Sequence, residues 1–271
     1  MRLKRSFPFS IPSRPESMLL RMTIVLLSIA AFNPFSVSFA EETADPNKLL
    51  EKMDQIVRGT THDMTISMQV HTAKWERQYK IRVWMKGVDW AFARVLEPAK
   101  VEGQGFLRQK GRLWNYMPTA EKTILIPPSM MLDQFMGSDF TNDDFVKLTY
   151  LPRDYDGKIV GEENLDGNSV HHLELIPKPD APVIYGKLEI WLRKSDAAPV
   201  KLQFYNEDQK LIRTLHYSEF KKFGDHETPT LWKMENQEDP DRTTTIQIMD
   251  AAFDGEIQDS LFTRENLEKY S

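Results

Sequence analysis

Tyr79-Lys80-Ile81-Arg82-Val83-Trp84-Met85-Lys86 changes character at every residue. Tyr79, Ile81, Val83 and Met85 share one side; Lys80, Arg82, Trp84 and Lys86 share the other. A period of two is the signature of a β-strand with one buried and one wetted face. The pattern extends in both directions. Ile66, Met68 and Val70 alternate with Thr65, Ser67, Gln69 and His71. Ala91, Phe92, Ala93 and Val95 follow a turn at Gly87-Val88-Asp89. Residues 103–109 and 112–116 read as a hairpin about Lys110-Gly111, and 122–126 as a further short strand. Later strands are expected at 157–164, 169–176, 184–193, 199–206, 210–221, 230–238 and 242–250. Between them lie turn residues such as Asp166-Gly167, Pro177-Lys178-Pro179, Asn206-Glu207-Asp208 and Gly224-Asp225. A dozen antiparallel strands with few helices predict a mainly β fold, a strongly curved sheet or a barrel. No linker and no strong repeat interrupts the pattern, so the expectation is one domain over 41–271.

Helices are expected in three places. Asp45-Pro46 provides an N-cap and a first helical position. Leu49, Leu50, Met53, Ile56 and Val57 form one apolar stripe, and Gly59 ends it. Pro127-Pro128-Ser129 starts a short helix over 130–136, ended by Gly137, followed by a turn capped by Thr141-Asn142-Asp143-Asp144. Residues 259–267 read as a capped turn held down by Phe262 and Leu267.

The first forty residues differ from the rest. Arg2, Lys4, Arg5, Arg14 and Arg21 stand against one acid, Glu16, and an apolar run follows over 22–32. That run is shorter than the ~20 residues a spanning helix needs. With Ser38-Phe39-Ala40 behind it, it has the form of a signal peptide cleaved after Ala40. Met18 and Met22 are alternative starts to Met1. The chain of 271 residues carries a net charge of −5, and loss of this basic leader leaves the remainder more acidic still. An acidic domain lacks the basic footprint that nucleic acid requires. With no cysteine, thiolate zinc sites, iron–sulfur clusters and cysteine nucleophiles are excluded. Export and absence of cysteine point to the periplasm of a Gram-negative bacterium.

Catalytic motifs are absent: the sequence has no nucleophile elbow, P-loop, dinucleotide fingerprint or zincin helix. Gly103-Gln104-Gly105 reads as a tight strand entry. His171 and His172 are neighbours on a strand and point to opposite faces, so they cannot chelate one ion; His172 and Glu174 share a wet face. Asp143-Asp144 and Glu162-Glu163 read as solvated acids at a cap and a turn, and His226-Glu227 as a loop pair. No catalytic residue, metal or cofactor is expected. The apolar features are more telling. Met130, Met131, Leu132, Phe135 and Met136 would wrap most of a helix, which must then be buried on several sides or line a cavity. Methionine suits surfaces that accept varied apolar partners. Together with Trp114, Tyr116 and Phe92 on the sheet, this segment suggests a lid over a cavity for acyl chains. The alternative is a segment that simply plugs the sheet as core.

Three stretches resemble the LolA-like outer-membrane lipoprotein-sorting family of the LolA/LolB-like superfamily. They are Glu102-Gly103-Gln104-Gly105-Phe106-Leu107, Leu113-Trp114-Asn115-Tyr116-Met117-Pro118, and Met136-Gly137-Ser138-Asp139-Phe140-Thr141-Asn142-Asp143-Asp144-Phe145. The ending at 259–267 fits as well. The resemblance implies an open half-barrel, a single curved antiparallel sheet with a few short helices over its concave face. It implies a non-catalytic carrier of lipid or lipoprotein acyl chains, with an inner-membrane ABC or RND-type export complex as partner. Cavity and lid would comprise Tyr79, Ile81, Val83, Phe92, Trp114, Tyr116, Met130, Met131, Phe135, Met136 and Phe140. The carrier's lid-locking arginine has two candidates here, Arg82 and Arg94, and the chain is longer than the carrier proper. The alternative function is an accessory or sensor subunit of a membrane export complex, acting by protein–protein contact.

Overall fold

A computed structural model describes residues 44–147 and 151–269. The expected leader lies outside them. Helix α1 (Pro46–Arg58) begins as the sequence predicts: the Asp45 carboxylate accepts the Asn47 N–H at 2.9 Å, and Gly59 ends it at φ 62°. Six strands follow: β1 (Thr61–His71), β2 (Glu76–Lys86), β3 (Trp90–Glu97), β4 (Gly105–Gln109), β5 (Arg112–Met117) and β6 (Lys122–Leu125). After an insertion carrying α2 (Asn142–Lys147) and α3 (Leu151–Asp154), seven more complete the sheet. They are β7 (Tyr155–Leu165), β8 (Asn168–Pro177), β9 (Lys187–Arg193), β10 (Pro199–Tyr205), β11 (Leu211–Phe223), β12 (His226–Asn236) and β13 (Thr243–Phe253). The described residues end with α4 (Arg264–Lys269).

All thirteen strands form one antiparallel sheet in the order β6-β5-β4-β3-β2-β1-β13-β12-β11-β10-β9-β8-β7. The sheet is two meanders joined where β1 pairs with β13, and it does not close: β6 and β7 are its edges. Strict alternation accounts for the burial. In β2, Tyr79, Ile81 and Met85 are buried with the concave side, whereas Arg82 lies opposite and bonds Asp63 on β1 at 2.9 and 2.7 Å. Two apolar clusters cover the concave side. One, from β1–β5, holds Met68, Val70, Ile81, Val95, Phe106 and Leu113. The other, from β8–β12, holds Leu173, Leu188, Ile190, Phe204, Leu215 and Met234, and α1 packs Leu50 and Met53 against it.

The convex side is also covered at one end. Trp84, Phe92, Leu107 and Trp114 pack under Phe262 and Leu267, the two residues expected to hold the C-terminal turn. Gly105 makes room for α4: a Cβ there would lie 2.6 Å from Leu267 Cδ1. Arg94 ties the same element to the entry of β4, donating to the carbonyls of Asn266 at 3.3 Å and Leu267 at 2.9 Å on α4 and to that of Gly103 at 2.6 Å.

Topology dictates where the insertion runs. It leaves one edge strand and must enter the other, across 12 strand spacings, about 58 Å in a flat sheet. It therefore crosses a face. Phe135 and Phe145 pack on the first concave cluster, Phe140 and Leu151 on the second.

One expectation is corrected. Residues 130–136 are not a helix. They form two isolated 3-10 turns, Pro128–Met130 and Phe135–Gly137, with Met136 at φ 53°. The backbone between them bonds forward to the returning chain: Phe135 N–H to Phe140 O at 2.8 Å, Asn142 N–H to Asp133 O at 3.0 Å, and Asp143 N–H to Met131 O at 2.9 Å. Those bonds satisfy the groups a helix would have paired internally.

Candidate functional site

Between sheet and insertion lies a cavity of about 160 Å³. Register builds its floor. Met64, Ile66 and Met68 of β1 sit two apart on the concave side; Ile66 faces Ile81 on β2 and Ile248 on β13, and Met68 faces Ile246. Val83 and Met85 extend the floor on β2, Leu215, Tyr217 and Trp232 on the far meander. A bulge between Thr65 and Ile66 keeps this alignment by turning Met249 outward, where it is exposed. The roof is aromatic. Phe135 and Phe145 stack at 4.8 Å and 7°, and Phe135 meets Phe106 at 4.6 Å; Phe140 closes the other side.

The roof is held by buried ions. Asp144 caps its own turn, with Thr141 N–H donating to Oδ2 at 2.8 Å and its own N–H to Thr141 Oγ1 at 3.0 Å. From the sheet, Arg213 of β11 donates to Asp144 Oδ2 at 2.8 Å and to the Asp139 carbonyl, while the Tyr185 hydroxyl donates to Asp144 Oδ1 at 2.6 Å. Asp139 receives Arg242 Nε at 2.6 Å and Thr244 Oγ1 at 2.7 Å. Asp143 and Asp144 are thus buried, not solvated as a cap alone would suggest. Such carboxylates persist in a dry site only when paired and hydrogen-bonded. Arginines that bond the insertion from outside it include Arg213, Arg242 and Arg108, whose Nη1 donates to the Phe145 carbonyl at 3.4 Å; Arg82 and Arg94 lie on the other face.

Besides the Asp144 carboxylate under the roof, polar groups line the cavity at the end of α1. Arg58, at the close of α1, bonds Asp54 through Nε at 3.1 Å and the Gly87 carbonyl through Nη1 at 2.7 Å. His62, the second residue of β1, is buried beside it, with Nδ1 3.0 Å from the Arg58 carbonyl. A carbonyl only accepts, so Nδ1 carries the proton. Burial, reinforced by the charges of Arg58 and Arg108, pulls the His62 pKa down to about 4, although the bond to the Arg58 carbonyl opposes this. Burial also lowers Arg108 to about 10, with the Arg58 charge second. Burial raises the Tyr217 phenol, and Asp144 adds to the shift.

Of the residues expected at the site, Ile81, Val83, Phe135 and Phe140 line the cavity. Tyr79, Met131 and Met136 belong to the adjoining concave cluster, where the Tyr79 hydroxyl reaches the Met136 carbonyl at 3.4 Å. Met130 points outward and is 40 % exposed. Phe92, Trp114 and Tyr116 lie on the convex side under α4, out of phase with Ala93 and Leu113, the concave-cluster residues of their strands. Sequence reasoning missed Met64, Met85, Tyr217, Trp232 and His62. The alternation in β1 signals two of these, since His62 and Met64 have the parity of Ile66 and Met68. His172 bonds Glu189 at 3.3 Å and stacks on Trp191 at 4.1 Å, whereas His171 pairs with Glu162 at 3.1 Å. Among the described residues no group of three His, Asp or Glu side chains is placed to hold a metal ion.

Three crystal structures share the fold. A DUF1329 family protein from Desulfovibrio piger matches with TM-score 0.76 and 24% identity, over 83% of this chain and 100% of that one. A domain assigned to outer-membrane lipoprotein sorting, from Vibrio parahaemolyticus, matches with TM-score 0.74 and 21% identity, over 83% and 98%. A LolA superfamily protein from Nitrosomonas europaea matches with TM-score 0.71 and 24% identity, over 82% and 99%. No curated protein matches the sequence. A family model described as "-like: Uncharacterized protein" covers residues 87–269. The chain belongs to that family, and it shares the fold of these three structures.

Proposed function

We propose that this protein is a periplasmic, non-catalytic carrier that holds lipid or lipoprotein acyl chains in the cavity beneath the insertion. The observation that carries the reading is the cavity itself: an apolar floor of methionine and isoleucine, an aromatic roof, and polar groups at its rim and one end. About 160 Å³ accommodates on the order of ten water-sized groups. Ten methylenes at ~0.8 kcal/mol each supply about 8 kcal/mol, the scale of micromolar affinity. In this conformation the cavity suits one chain, and a multiply acylated lipoprotein anchor needs the roof to lift. The basic, apolar leader supports export, with the mature chain beginning at Glu41; N-terminal sequencing of periplasmic protein checks this, and a retained leader refutes it.

Native mass spectrometry of protein purified from its own periplasm tests the carrier reading. Bound lipid is expected from the wild type and not from Phe135→Asp, which sets a charge in the cavity, while circular dichroism of the sheet stays the same. Lipid retained undiminished by Phe135→Asp refutes the cavity as its site. A second reading, an accessory subunit of an inner-membrane ABC or RND-type export complex, is favoured by the exposed apolar side chains Ile124, Leu125, Met130 and Leu132 on and after edge strand β6. It gains if the periplasmic protein carries no lipid.

A further inference from the structure

We infer that the polar end of the cavity recognises the head of its ligand: His62 Nε2 accepts a hydrogen bond from an O–H group terminating a single alkyl chain. The inference rests on the carrier reading of the cavity and narrows its cargo from acyl chains in general to a free single-chain alcohol, at the expense of the esterified chains of a lipoprotein anchor.

The imidazole is fixed and half used. Nδ1–H donates to the Arg58 carbonyl at 3.0 Å, and the ring meets Phe253 edge-on at 6.1 Å. Nε2 has no hydrogen-bond partner among the described residues, yet it is not one of the sealed, unpartnered polar atoms. The residue is buried and lines the cavity, and with Nδ1 committed to the Arg58 carbonyl, Nε2 is the ring nitrogen left to meet a ligand. A proton on Nδ1 leaves a lone pair on Nε2, and the low pKa keeps it there at neutral pH. A neutral imidazole in this tautomer accepts and does not donate.

The surroundings select against other heads. Beyond His62 the floor runs along β1 through Met64 and Ile66 to Met68, about 20 Å of apolar surface for a chain to lie on. An ether or ester oxygen placed against Nε2 would set acceptor against acceptor with no water between. A carboxylate would do the same, and would have to draw on Arg58, whose guanidinium already holds Asp54 and the Gly87 carbonyl. An alcohol satisfies the nitrogen and needs no countercharge. A site built to hydrogen-bond a hydroxyl rejects the analogue without one.

The test compares three ligands of equal chain length by calorimetry at about pH 8, where the acid is ionised: 1-decanol, decyl methyl ether and decanoate. Wild-type protein should bind decanol about three- to tenfold more tightly than either of the others. In His62→Phe, which keeps a ring and loses the acceptor, decanol and the ether should bind alike. Should that variant fail to fold, the wild-type ratio decides alone. The ¹⁵N resonance of His62 Nε2 should also move on adding decanol and stay still on adding the ether. Equal wild-type affinities for decanol and the ether overturn the inference and leave the carrier reading standing. Tightest binding of decanoate overturns it in favour of an arginine anchor. Failure of all three ligands to bind overturns both.

Discussion

Replacing Arg213 by methionine is the sharpest perturbation of the roof. Arg213 is 7 % exposed and joins the sheet to two points of the insertion, the Asp144 carboxylate and the Asp139 carbonyl. Methionine fills similar space but leaves a buried carboxylate without its cation. Breaking a buried pair from one side costs about 3–5 kcal/mol. Asp144 retains the Tyr185 hydroxyl and the Thr141 N–H, which places the cost near the lower figure. For a domain of this size about 3 kcal/mol lowers Tm by roughly 6–12 °C. Urea unfolding followed by tryptophan fluorescence measures it directly, with the slope expected to stay constant. The double variant Arg213→Met/Asp144→Leu removes both charges and should be more stable than Arg213→Met alone, losing instead the cap to Thr141 and the acceptor of the buried Tyr185 hydroxyl, about 1 kcal/mol each. A loss under 1 kcal/mol for the single variant, or a double variant as unstable as the two singles added together, would show that the pair does not secure the roof.

Three further outcomes are expected. His62 is held neutral down to about pH 4 in the folded chain, whereas unfolded it takes up its proton near 6.5. Its stabilising contribution is therefore complete above about pH 6.5 and fades as pH falls to 4; wild type should lose about 3 kcal/mol more than His62→Phe over that span in urea titrations, and parallel curves would contradict this. Gly186→Ala would bring a Cβ to 2.6 Å from the Asn206 carbonyl oxygen, a backbone atom, and should cost about 1–3 kcal/mol, while Gly161→Ala meets open space and serves as control; equal midpoints for the two would count against the packing described. Arg94→Met should release α4 from the convex face, seen as faster amide exchange over 264–269 with exchange in β11 and β12 unchanged; protection of α4 equal to wild type would dismiss the clamp.

The sheet was legible because alternation is local. β8, β10 and β11 fall within two residues of their expected bounds, and α1 starts and stops at the cap and glycine that the sequence displays. What failed, failed for identifiable reasons. The 130–136 segment is apolar in composition, but composition does not say whether its backbone bonds inward or to residues 140–143. Phe92 and Trp114 differ from Ala93 and Leu113 by one position, and one position in a strand is the difference between two faces. The pairing of Trp84 with Phe92 would have placed them, but register is a property of two strands, not of one. Arg213 and Arg242 carried no signal at all: their partners lie far away in the chain, brought near only when the insertion folds over the sheet. Asp144 looked like a cap and is one; its second role as counterion is invisible without that fold.

The seam between β1 and β13 bears on how the molecule is made. Each meander can assemble from neighbouring hairpins with short loops, but the seam unites the first and the last strand of the described residues. Closing so large a loop is entropically the costliest step and comes late. A polypeptide threaded start-first through a translocation pore would present β1 long before its mate emerges. Until then one flank of β1 stays open, a stretch of unpaired backbone that a holding chaperone would need to shield.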